Sequence, residues 1–211
     1  MPNILRPTDA LLIIDMQLDF LPGGPLAVHD GDSIIPGIKA LAARFDHVIL
    51  TQDWHPAAHI SFASTHGKQP FTDTIEAPYG TQTLWPDHCL QGSRGAEIHP
   101  DLALPHAELI LRKGFRQNID SYSAFTENDG ATPTGLAGYL RERGLKRLFF
   151  AGLAYDFCVG FSALAAAKLG FEALVVEDLS RAIDLPGTID AANQAFASLS
   201  IQRLASSELL S

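Results

Sequence analysis

The chain of 211 residues is 46% hydrophobic and 18% charged, a globular composition without an obvious linker that indicates one domain over residues 1–211. Its net charge of −9, with histidines neutral, argues against nucleic acid as a partner, because nucleic-acid binding needs a basic surface. Asp15 interrupts the N-terminal apolar run, which is too short for a signal peptide or a membrane-spanning helix, so we expect no membrane partner and a cytoplasmic location.

Six short apolar runs, each ending at a polar residue, predict strands along the chain. Most of them are apolar throughout rather than alternating, which is typical of strands buried on both faces of a parallel sheet. They lie at residues 10–15, 47–53, 108–113, 147–152, 172–178 and, more weakly, 200–205.

Helical patterns separate several of these strands. They cover residues 33–45, 134–144, 157–169 and 188–200, with Gly144 as a helix-ending glycine and Thr188 as an N-cap. The alternation predicts an α/β fold with a doubly wound, mainly parallel six-stranded sheet flanked by helices on both faces. Residues 54–107 and 114–133 show no clear period, and we expect these long irregular segments to line a binding site.

Chemically reactive side chains follow four of the predicted strands. Asp15 ends the first strand, Asp53 ends the second, Lys113 ends the third, and Cys158 lies shortly after the fourth. Ligands of an open parallel sheet bind beyond the carboxyl ends of its strands. We therefore expect an acid, a metal ligand, a base and a thiol to face one crevice.

Cys158 lies where a strand gives way to a helix, and this position favours a reactive thiol. Unsatisfied N–H groups at a helix N-terminus stabilise an anion, and a neighbouring Lys113 would act in the same direction. We therefore expect a stabilised thiolate and a nucleophilic role, rather than an inert buried cysteine. Cys89, in an irregular segment, is interpreted as structural, and the sequence leaves a Cys89–Cys158 disulfide open.

Asp15 and Lys113 complete a candidate catalytic group. The Asp15 carboxylate can take the thiol proton and return it to a leaving group, and its alternative role is to cap the following loop. Lys113 can pair with Asp15 or bind developing negative charge, and its alternative role is that of a structural lysine at a strand end. Their common placement with Cys158 favours catalysis over these alternatives.

Asp53, His55 and His88 form a candidate metal site. Residues 53 and 55 are two apart on an extended strand, so their side chains point the same way. His88 would join them from the long loop, with His59 as a reserve ligand. One carboxylate and two imidazoles suit Zn, Fe or Mn, with open positions for water or substrate.

Glycine-rich phosphate-binding loops do not follow the predicted strands. Neither GxGxxG nor GxxxxGK[S/T] occurs at such a position, and the Gly23-Gly24 pair indicates a turn. A dinucleotide-dependent enzyme is therefore disfavoured despite the parallel sheet.

Seven segments carry motifs whose combination is specific, namely IIDMQLDFLPGG (13–24), TQDWHP (51–56), HISFAS (59–64), LWPDHCLQGSRGAEIHPDL (84–102), LRKGF (111–115), DSYSAF (120–125) and GLAYDFCVGFSALAA (152–166). In these motifs, in their order and at their spacings, the chain resembles the nicotinamidases (pyrazinamidases) of the isochorismatase-like cysteine hydrolase superfamily. The segments span almost the whole chain. The resemblance implies a single isochorismatase-like hydrolase domain over residues 1–211.

The resemblance also implies a role for each matching residue. It assigns the catalytic triad to Asp15, Lys113 and Cys158. It assigns the ligands of one divalent metal ion, Zn foremost with Fe or Mn as alternatives, to Asp53, His55 and His88. It places in the wall of an aromatic-ring pocket Phe20, Trp85 and Tyr122. A cis Leu153–Ala154 bond would turn two amides into an oxyanion hole, those of Ala154 and Cys158.

The activity implied by the resemblance is metal-dependent hydrolysis of nicotinamide to nicotinate and ammonia through a cysteine thioester. Pyrazinamide would be a further substrate, and the reaction would serve NAD salvage. The partner would thus be a small molecule, and the sequence leaves a homo-oligomer open.

Three other interpretations compete with this one. A related cysteine amidase acting on a carbamoyl or ureido compound would use a similar Asp–Lys–Cys set, but such relatives generally lack the metal-binding pattern. Isochorismatase itself lacks the cysteine nucleophile, so Cys158 counts against it. A redox-sensing module would use Cys158 as an oxidisable thiol, but it explains neither Lys113 nor the D-W-H element.

Overall fold

A computed structural model describes residues 5–210 and contains a six-stranded parallel sheet. The strands are β1 (Asp9–Ile14), β2 (His47–Asp53), β3 (Thr74–Ala77), β4 (Gly80–Thr83), β5 (Leu109–Lys113), β6 (Arg147–Leu153), β7 (Glu172–Arg181) and β8 (Gln202–Leu204). The order across the main sheet is β5-β2-β1-β6-β7-β8, with all neighbouring strands parallel. All six predicted strands are therefore confirmed.

Six α-helices accompany the strands within residues 5–210. They are α1 (Ile35–Ala42), α2 (Ala63–His66), α3 (Leu136–Glu142), α4 (Gly160–Lys168), α5 (Thr188–Ser198) and α6 (Ser207–Leu210). The four predicted helices correspond to α1, α3, α4 and α5, but the turn at Tyr155–Val159 that precedes α4 is π-helical. Among residues 5–210, no helix combines the length and apolarity that crossing a membrane requires.

The predicted helix boundaries are confirmed at Gly144 and wrong at Thr188. Gly144 follows α3 in the left-handed conformation, with φ at +70°. The N-cap position of α5 is Gly187, not Thr188. The Thr188 hydroxyl is engaged elsewhere, because Oγ1 donates to Asp156 Oδ2 at 2.6 Å.

Helices cover both faces of the sheet, and the two central strands are buried completely. Every residue of β1 and β6 is buried. Alternate residues of β1 belong to different cores: Leu11 packs in a core shared with Ile38 of α1, and Leu12 in one shared with Leu140 of α3. The continuous apolar runs in the sequence follow from this burial on both sides, and the predicted doubly wound fold is confirmed.

The irregular segments contain more structure than the sequence predicted. Residues 54–107 include α2, a 3₁₀ turn at Pro100–Leu102 and the antiparallel hairpin β3–β4. The hairpin strands are exposed or half-buried except at Gln82, so they lack the apolar run that marked the main strands.

The topology places a switch point next to β1. The chain builds β2 and β5 on one side of β1 and then returns to form β6 on the other side. Ligands of doubly wound sheets bind beyond the carboxyl ends of strands at such a point. This position corresponds to the ends of β1 and β6.

Candidate active site

The carboxyl ends of four adjacent strands bring the predicted catalytic residues together. Asp15 directly follows β1, Asp53 ends β2, Lys113 ends β5, and Cys158 lies in the π-helical turn after β6. All four side chains are buried. The convergence expected from the sequence is therefore found in the fold.

Lys113 lies at the centre of this group. Its Nζ is 2.8 Å from Asp15 Oδ2 and 2.5 Å from Asp53 Oδ1. The same ammonium donates to Ser121 O at 3.0 Å and to Cys158 Sγ at 3.4 Å. Although burial opposes it, the two carboxylates raise the pKa of Lys113 well above its usual value. Lys113 is therefore a buried cation that two carboxylates and a thiol share.

The expected resting thiolate at Cys158 is not supported by the structure. Burial raises the pKa of the Cys158 thiol well above its usual value, and although Lys113 opposes this shift, the carboxylates of Asp15 and Asp53 add to it. Sγ lies within 4.8 Å of carboxylate oxygens of both aspartates. The raised pKa favours the thiol over the thiolate, so a neighbouring base is needed to make Cys158 a nucleophile.

Asp15 is placed to be that base, and Thr51 holds it. Thr51 Oγ1 donates to Asp15 Oδ1 at 2.5 Å, and the Asp15 N–H donates to the same Thr51 oxygen at 3.1 Å. Burial raises the pKa of Asp15, although the Lys113 ammonium opposes this shift. A carboxylate with a raised pKa accepts a thiol proton more readily than an ordinary one.

Gly152 allows the turn that carries Cys158 to approach Asp15. Its φ is +114°, and a Cβ at this position would lie only 2.2 Å from Ile14 O. The pairing of β6 with β7 shifts register between Phe150 and Gly152. A side chain here would push the end of β6 away from β1, so the site needs glycine at this position.

The predicted metal ligands form a compact buried trio. The candidate ligand atoms of Asp53, His55 and His88 lie within 4.8 Å of one another. The Nε2 atom of His55 lies 3.5 Å from Asp53 Oδ2, and the Nε2 atom of His88 lies 3.9 Å from the same oxygen. The other ring nitrogen, Nδ1, lies 2.8 Å from a backbone oxygen in each case, that of Gly114 for His55 and that of Pro86 for His88.

These backbone contacts prepare both imidazoles for metal binding. A donor Nδ1–H directed at a carbonyl leaves the Nε2 lone pair free on the side of Asp53. Burial lowers the pKa of His88 to about 4, so its ring is neutral, as a ligand must be. Although burial opposes it, the Lys113 ammonium holds the pKa of Asp53 below its usual range, so this group is a carboxylate. Asp53 in turn raises the pKa of His55 although burial opposes this, so an ion bound there would displace a proton from His55. The donor set therefore fits a divalent ion such as Zn, Fe or Mn.

His59 lies beside the trio but has other partners. Its ring centroid is 4.2 Å from that of His55. Its Nδ1 lies 2.8 Å from Ser61 Oγ, and its Nε2 lies 3.2 Å from Ile119 O. Since both ring nitrogens are engaged, His59 stays a reserve ligand, although the carboxylate of Asp120 also comes within 4.8 Å of candidate ligand atoms of His55 and His59.

A small cavity adjoins the thiol and the trio. The three residues predicted to form its aromatic wall do line it, namely Phe20, Trp85 and Tyr122. Trp85 Nε1 donates to Tyr122 Oη at 3.0 Å, and its ring packs edge-on against Phe157 with centroids 4.9 Å apart. The rest of the lining consists of Leu26, Asp53, His55, His88, Asp120, Ala154, Phe157, Cys158 and Ile183.

The two residues predicted to supply oxyanion donors also border this cavity. Ala154 and Cys158 both line it, at the start and in the middle of the turn that follows β6. The peptide bond between Leu153 and Ala154 is cis, as the resemblance implied.

Cys89 has a different environment from Cys158. Both cysteines are free and buried, so the disulfide that the sequence left open is not formed. The Cys89 N–H donates to Asp19 Oδ2 at 2.6 Å, which fixes the turn that follows His88. Burial raises the pKa of the Cys89 thiol well above its usual value. These features agree with the structural role that the sequence predicted.

Sequence reasoning missed several residues that support or line the site. Thr51 holds Asp15, Gln17 binds the backbone of Asp53, and Asp120 and Ile183 line the cavity. Thr51 lies two residues before Asp53 in β2, so alternation along the strand was a usable signal. The other three act through contacts with residues distant in sequence, which no local pattern reveals.

Comparison with known proteins gives consistent matches. A profile of the family described as "Isochorismatase domain" matches residues 9–206. A nicotinamidase from Acinetobacter baylyi is 54% identical over 202 residues, which covers 95% of this chain and 94% of the relative. A nicotinamidase from Escherichia coli is 42% identical over 183 residues, which covers 85% of each.

Solved structures agree with these matches. The Acinetobacter baumanii nicotinamidase pyrazinamidase superposes with a TM-score of 0.94 at 53% identity, covering 96% of this chain and 98% of that one. PnC1 from L. infantum in complex with nicotinate superposes with a TM-score of 0.87 at 41% identity, covering 99% of this chain and 98% of that one. The pyrazinamidase of Pyrococcus horikoshii in complex with zinc superposes with a TM-score of 0.77 at 33% identity, covering 94% of this chain and 99% of that one. The chain therefore belongs to the isochorismatase family, among its nicotinamidases.

Proposed function

We propose that this chain hydrolyses nicotinamide to nicotinate and ammonia and so serves NAD salvage. One observation carries the proposal: the Lys113 ammonium joins the Asp15 carboxylate to the Cys158 thiol beside an aromatic cavity that also contains the Asp53–His55–His88 trio. The high identity to a nicotinamidase and the nicotinate bound by a structural relative support the choice of substrate.

The first half of the reaction forms a thioester at Cys158. Asp15 accepts the thiol proton as Sγ bonds to the carboxamide carbon. Backbone N–H groups of Ala154 and Cys158 donate to the developing oxyanion, an effect worth about 3 kcal/mol per donor in other enzymes. Asp15 then returns the proton to the amide nitrogen, the C–N bond breaks and ammonia leaves. The buried cation of Lys113 keeps Asp15 ionised before the proton transfer.

The second half hydrolyses the thioester. A water oxygen adds to the thioester carbon while its proton passes to Asp15. The C–S bond then breaks, and Asp15 returns the proton to Sγ. The product acid ionises to nicotinate, and the starting thiol is restored. One water is consumed for each ammonia released.

Substrate orientation is assigned to the cavity walls and the trio. The pyridine ring packs against Phe20 and Trp85, with Tyr122 closing the same wall. Asp53, His55 and His88 would hold one divalent ion, for which zinc is our first choice because a relative binds it and the ligands suit it. Such an ion would supply a Lewis acid for the basic nitrogen of the substrate ring.

Pyrazinamide is a second proposed substrate. Its ring has the size of nicotinamide and offers a nitrogen at the corresponding position, and two structural relatives are named pyrazinamidases. A cytoplasmic location is part of the same proposal.

A carbamoyl or ureido amidase is the alternative function. The catalytic cluster alone would suit it, because the Asp–Lys–Cys chemistry is the same. The trio favours nicotinamide, since an ion beside an aromatic cavity matches a ring with a basic nitrogen rather than a linear urea.

Ammonia release by the purified protein tests the proposal. We expect release from nicotinamide, loss of activity after treatment with a chelator, and recovery when Zn, Fe or Mn is added back. N-carbamoylsarcosine and ureidoacrylate serve as competing substrates in the same assay. Failure to release ammonia from nicotinamide in a metal-loaded sample, with turnover of either competitor, would replace the proposal with the alternative.

A further inference from the structure

One wall of the cavity comes from a segment that no motif of the sequence marked. Residues 182–187 connect β7 to α5, and Ile183 from this connection lines the cavity together with Phe157 and Cys158. Ile183 is half-buried and packs against the core on the α1 side of the sheet. Its side chain therefore limits the space available to a ring bound next to the thiol.

Asp156 anchors this connection from the turn that carries Cys158. Its Oδ1 accepts the Ile183 N–H at 2.9 Å, and its Oδ2 accepts the Asp184 N–H at 2.9 Å. Oδ2 also accepts the Thr188 hydroxyl at 2.6 Å. Asp156 is only 5% exposed, so its carboxylate is largely shielded from water, which strengthens charge-assisted bonds.

The conformation of the connection agrees with its dependence on this carboxylate. Asp184 has φ at +61°, in the left-handed region that non-glycine residues rarely occupy. Successive N–H groups that point the same way create a concave site for an anion, and the N–H groups of Ile183 and Asp184 converge on one carboxylate. Here the anion is the side chain of Asp156.

We infer that Asp156 is a positioning residue that fixes Ile183 as the wall selecting unsubstituted rings. This inference rests on the proposed function and adds to it the origin of ring-size selectivity. Asp156 lies two residues before the nucleophile, so one short turn carries the attacking sulfur and also holds part of the cavity wall.

Asparagine cannot replace aspartate in this role. The N–H groups of Ile183 and Asp184 each need an acceptor, and the Thr188 hydroxyl needs a third. A carboxylate accepts through both oxygens, whereas an amide would set its NH₂ group against at least one of these donors. Asp156→Asn therefore weakens the bonds that hold residues 182–187, with a minimal change in side-chain volume.

Asp178→Asn provides a matched control. Asp178 lies on β7, and its carboxylate accepts the N–H of Ser206 at 2.7 Å and the hydroxyl of Ser206 at 2.6 Å. This bonding resembles that of Asp156 but anchors the start of α6 rather than the cavity wall. Asp178 is exposed, so the match concerns the bonding pattern, and a general effect of losing a carboxylate that accepts N–H and hydroxyl groups of a following segment would appear in both variants.

The experiment compares nicotinamide with a panel of nicotinamides that carry one methyl group at each free ring carbon. For at least one panel member, we expect kcat/KM relative to nicotinamide to rise about tenfold in Ile183→Ala and about fivefold in Asp156→Asn, since one methyl group in a tight pocket changes rates by roughly 10-fold or more. For nicotinamide itself, KM should rise in Asp156→Asn while kcat changes less than about threefold. Asp178→Asn should keep the wild-type ratios.

Each result decides the inference. Unchanged ratios across the panel in Ile183→Ala and Asp156→Asn, or equal changes in Asp178→Asn, would overturn it. If Asp156→Asn does not fold, Thr188→Val removes one of the three bonds and should shift the same ratio in the same direction. If the wild-type protein hydrolyses neither nicotinamide nor any panel member, the proposed function fails separately, and binding of the same panel measured by calorimetry still tests the wall.

Discussion

Gln17 clamps the backbone of Asp53 on both sides. Its Nε2 donates to Asp53 O at 2.8 Å, and its Oε1 accepts the Asp53 N–H at 2.7 Å. Gln17 is fully buried, and Nε2 also donates to Ala96 O at 2.9 Å. A carboxylate of the trio is thus held through its main chain by a residue from the loop after β1.

The first prediction is that Gln17→Leu lowers the metal content of the purified protein. The substitution leaves the N–H and C=O of Asp53 buried without partners, which should reduce the free energy of unfolding by about 2 kcal/mol or more. Elemental analysis and denaturant melts measure the two effects. Gln202→Leu, on exposed β8, should change neither. Full metal occupancy in a folded Gln17→Leu protein would refute the clamp.

The second prediction concerns the two cysteines. Cys158→Ala should lower kcat for ammonia release by about 10³-fold or more, because it removes the attacking sulfur. Cys89→Ala removes an equally buried thiol and should keep kcat within about threefold of wild type. Circular dichroism checks that both variants fold. Near-normal turnover by Cys158→Ala would end the thioester mechanism.

The third prediction tests the trio. His55→Ala removes one imidazole and should reduce metal content severalfold and raise KM for nicotinamide, with a smaller effect on the thiol chemistry. Alkylation of Cys158 by iodoacetamide should proceed at a rate close to that of wild type. The control is His29→Ala, whose side chain is 92% exposed. Unchanged metal content in His55→Ala would remove this residue from the ligand set.

The fourth prediction concerns the hydrogen bond that Thr51 donates to Asp15. Thr51→Val keeps the shape of the side chain but deletes the hydroxyl that donates to Asp15 Oδ1. We expect kcat to fall about tenfold, equivalent to about 1.4 kcal/mol, with metal content unchanged. Thr134→Val deletes a hydroxyl bonded to Ala124 O, away from the cavity, and should keep kcat. A loss of the same size in both variants would mean a structural effect only.

The fifth prediction concerns the approach of β6 to β1. Gly152→Ala should lower the free energy of unfolding by on the order of 3 kcal/mol, because Cβ would collide with Ile14 O. Gly170→Ala, also at positive φ but with nothing within 4 Å of the new Cβ, should cost only about 1 kcal/mol. Equal losses of the free energy of unfolding for the two substitutions in denaturant melts would show that the destabilisation comes from the positive φ and not from the contact with Ile14 O.

Much of the fold was predictable because its strands are buried on both faces. The apolar runs of β1 and β6 have no helical period and match strand lengths, and the polar residues at the carboxyl ends of β1, β2 and β5 mark the edge where ligands bind. Asp15, Lys113 and Cys158 could be identified for this reason, and Asp53 and His55 because they lie two residues apart. The family motifs added the aromatic wall.

The rest depended on contacts that local patterns do not encode. Gln17 and Asp53 are 36 residues apart, and Asp156 and Ile183 are 27 apart, so their bonds depend on the packing of the whole chain. The sequence predicted a thiolate at Cys158 from its helix position, whereas in the fold burial raises the pKa of the thiol, two carboxylates add to this shift, and Lys113 opposes it.

The strand order makes catalytic competence a property of the whole chain. β1 pairs with β6 from Asp9 and Arg147 onward, and the ion pair of these two residues bridges 138 positions. Ordering so distant a contact requires closing a long loop, a slow step in folding. Neither half of the chain alone contains both the base and the sulfur. In refolding, ammonia release should thus return only with this pairing, later than the far-UV helix signal.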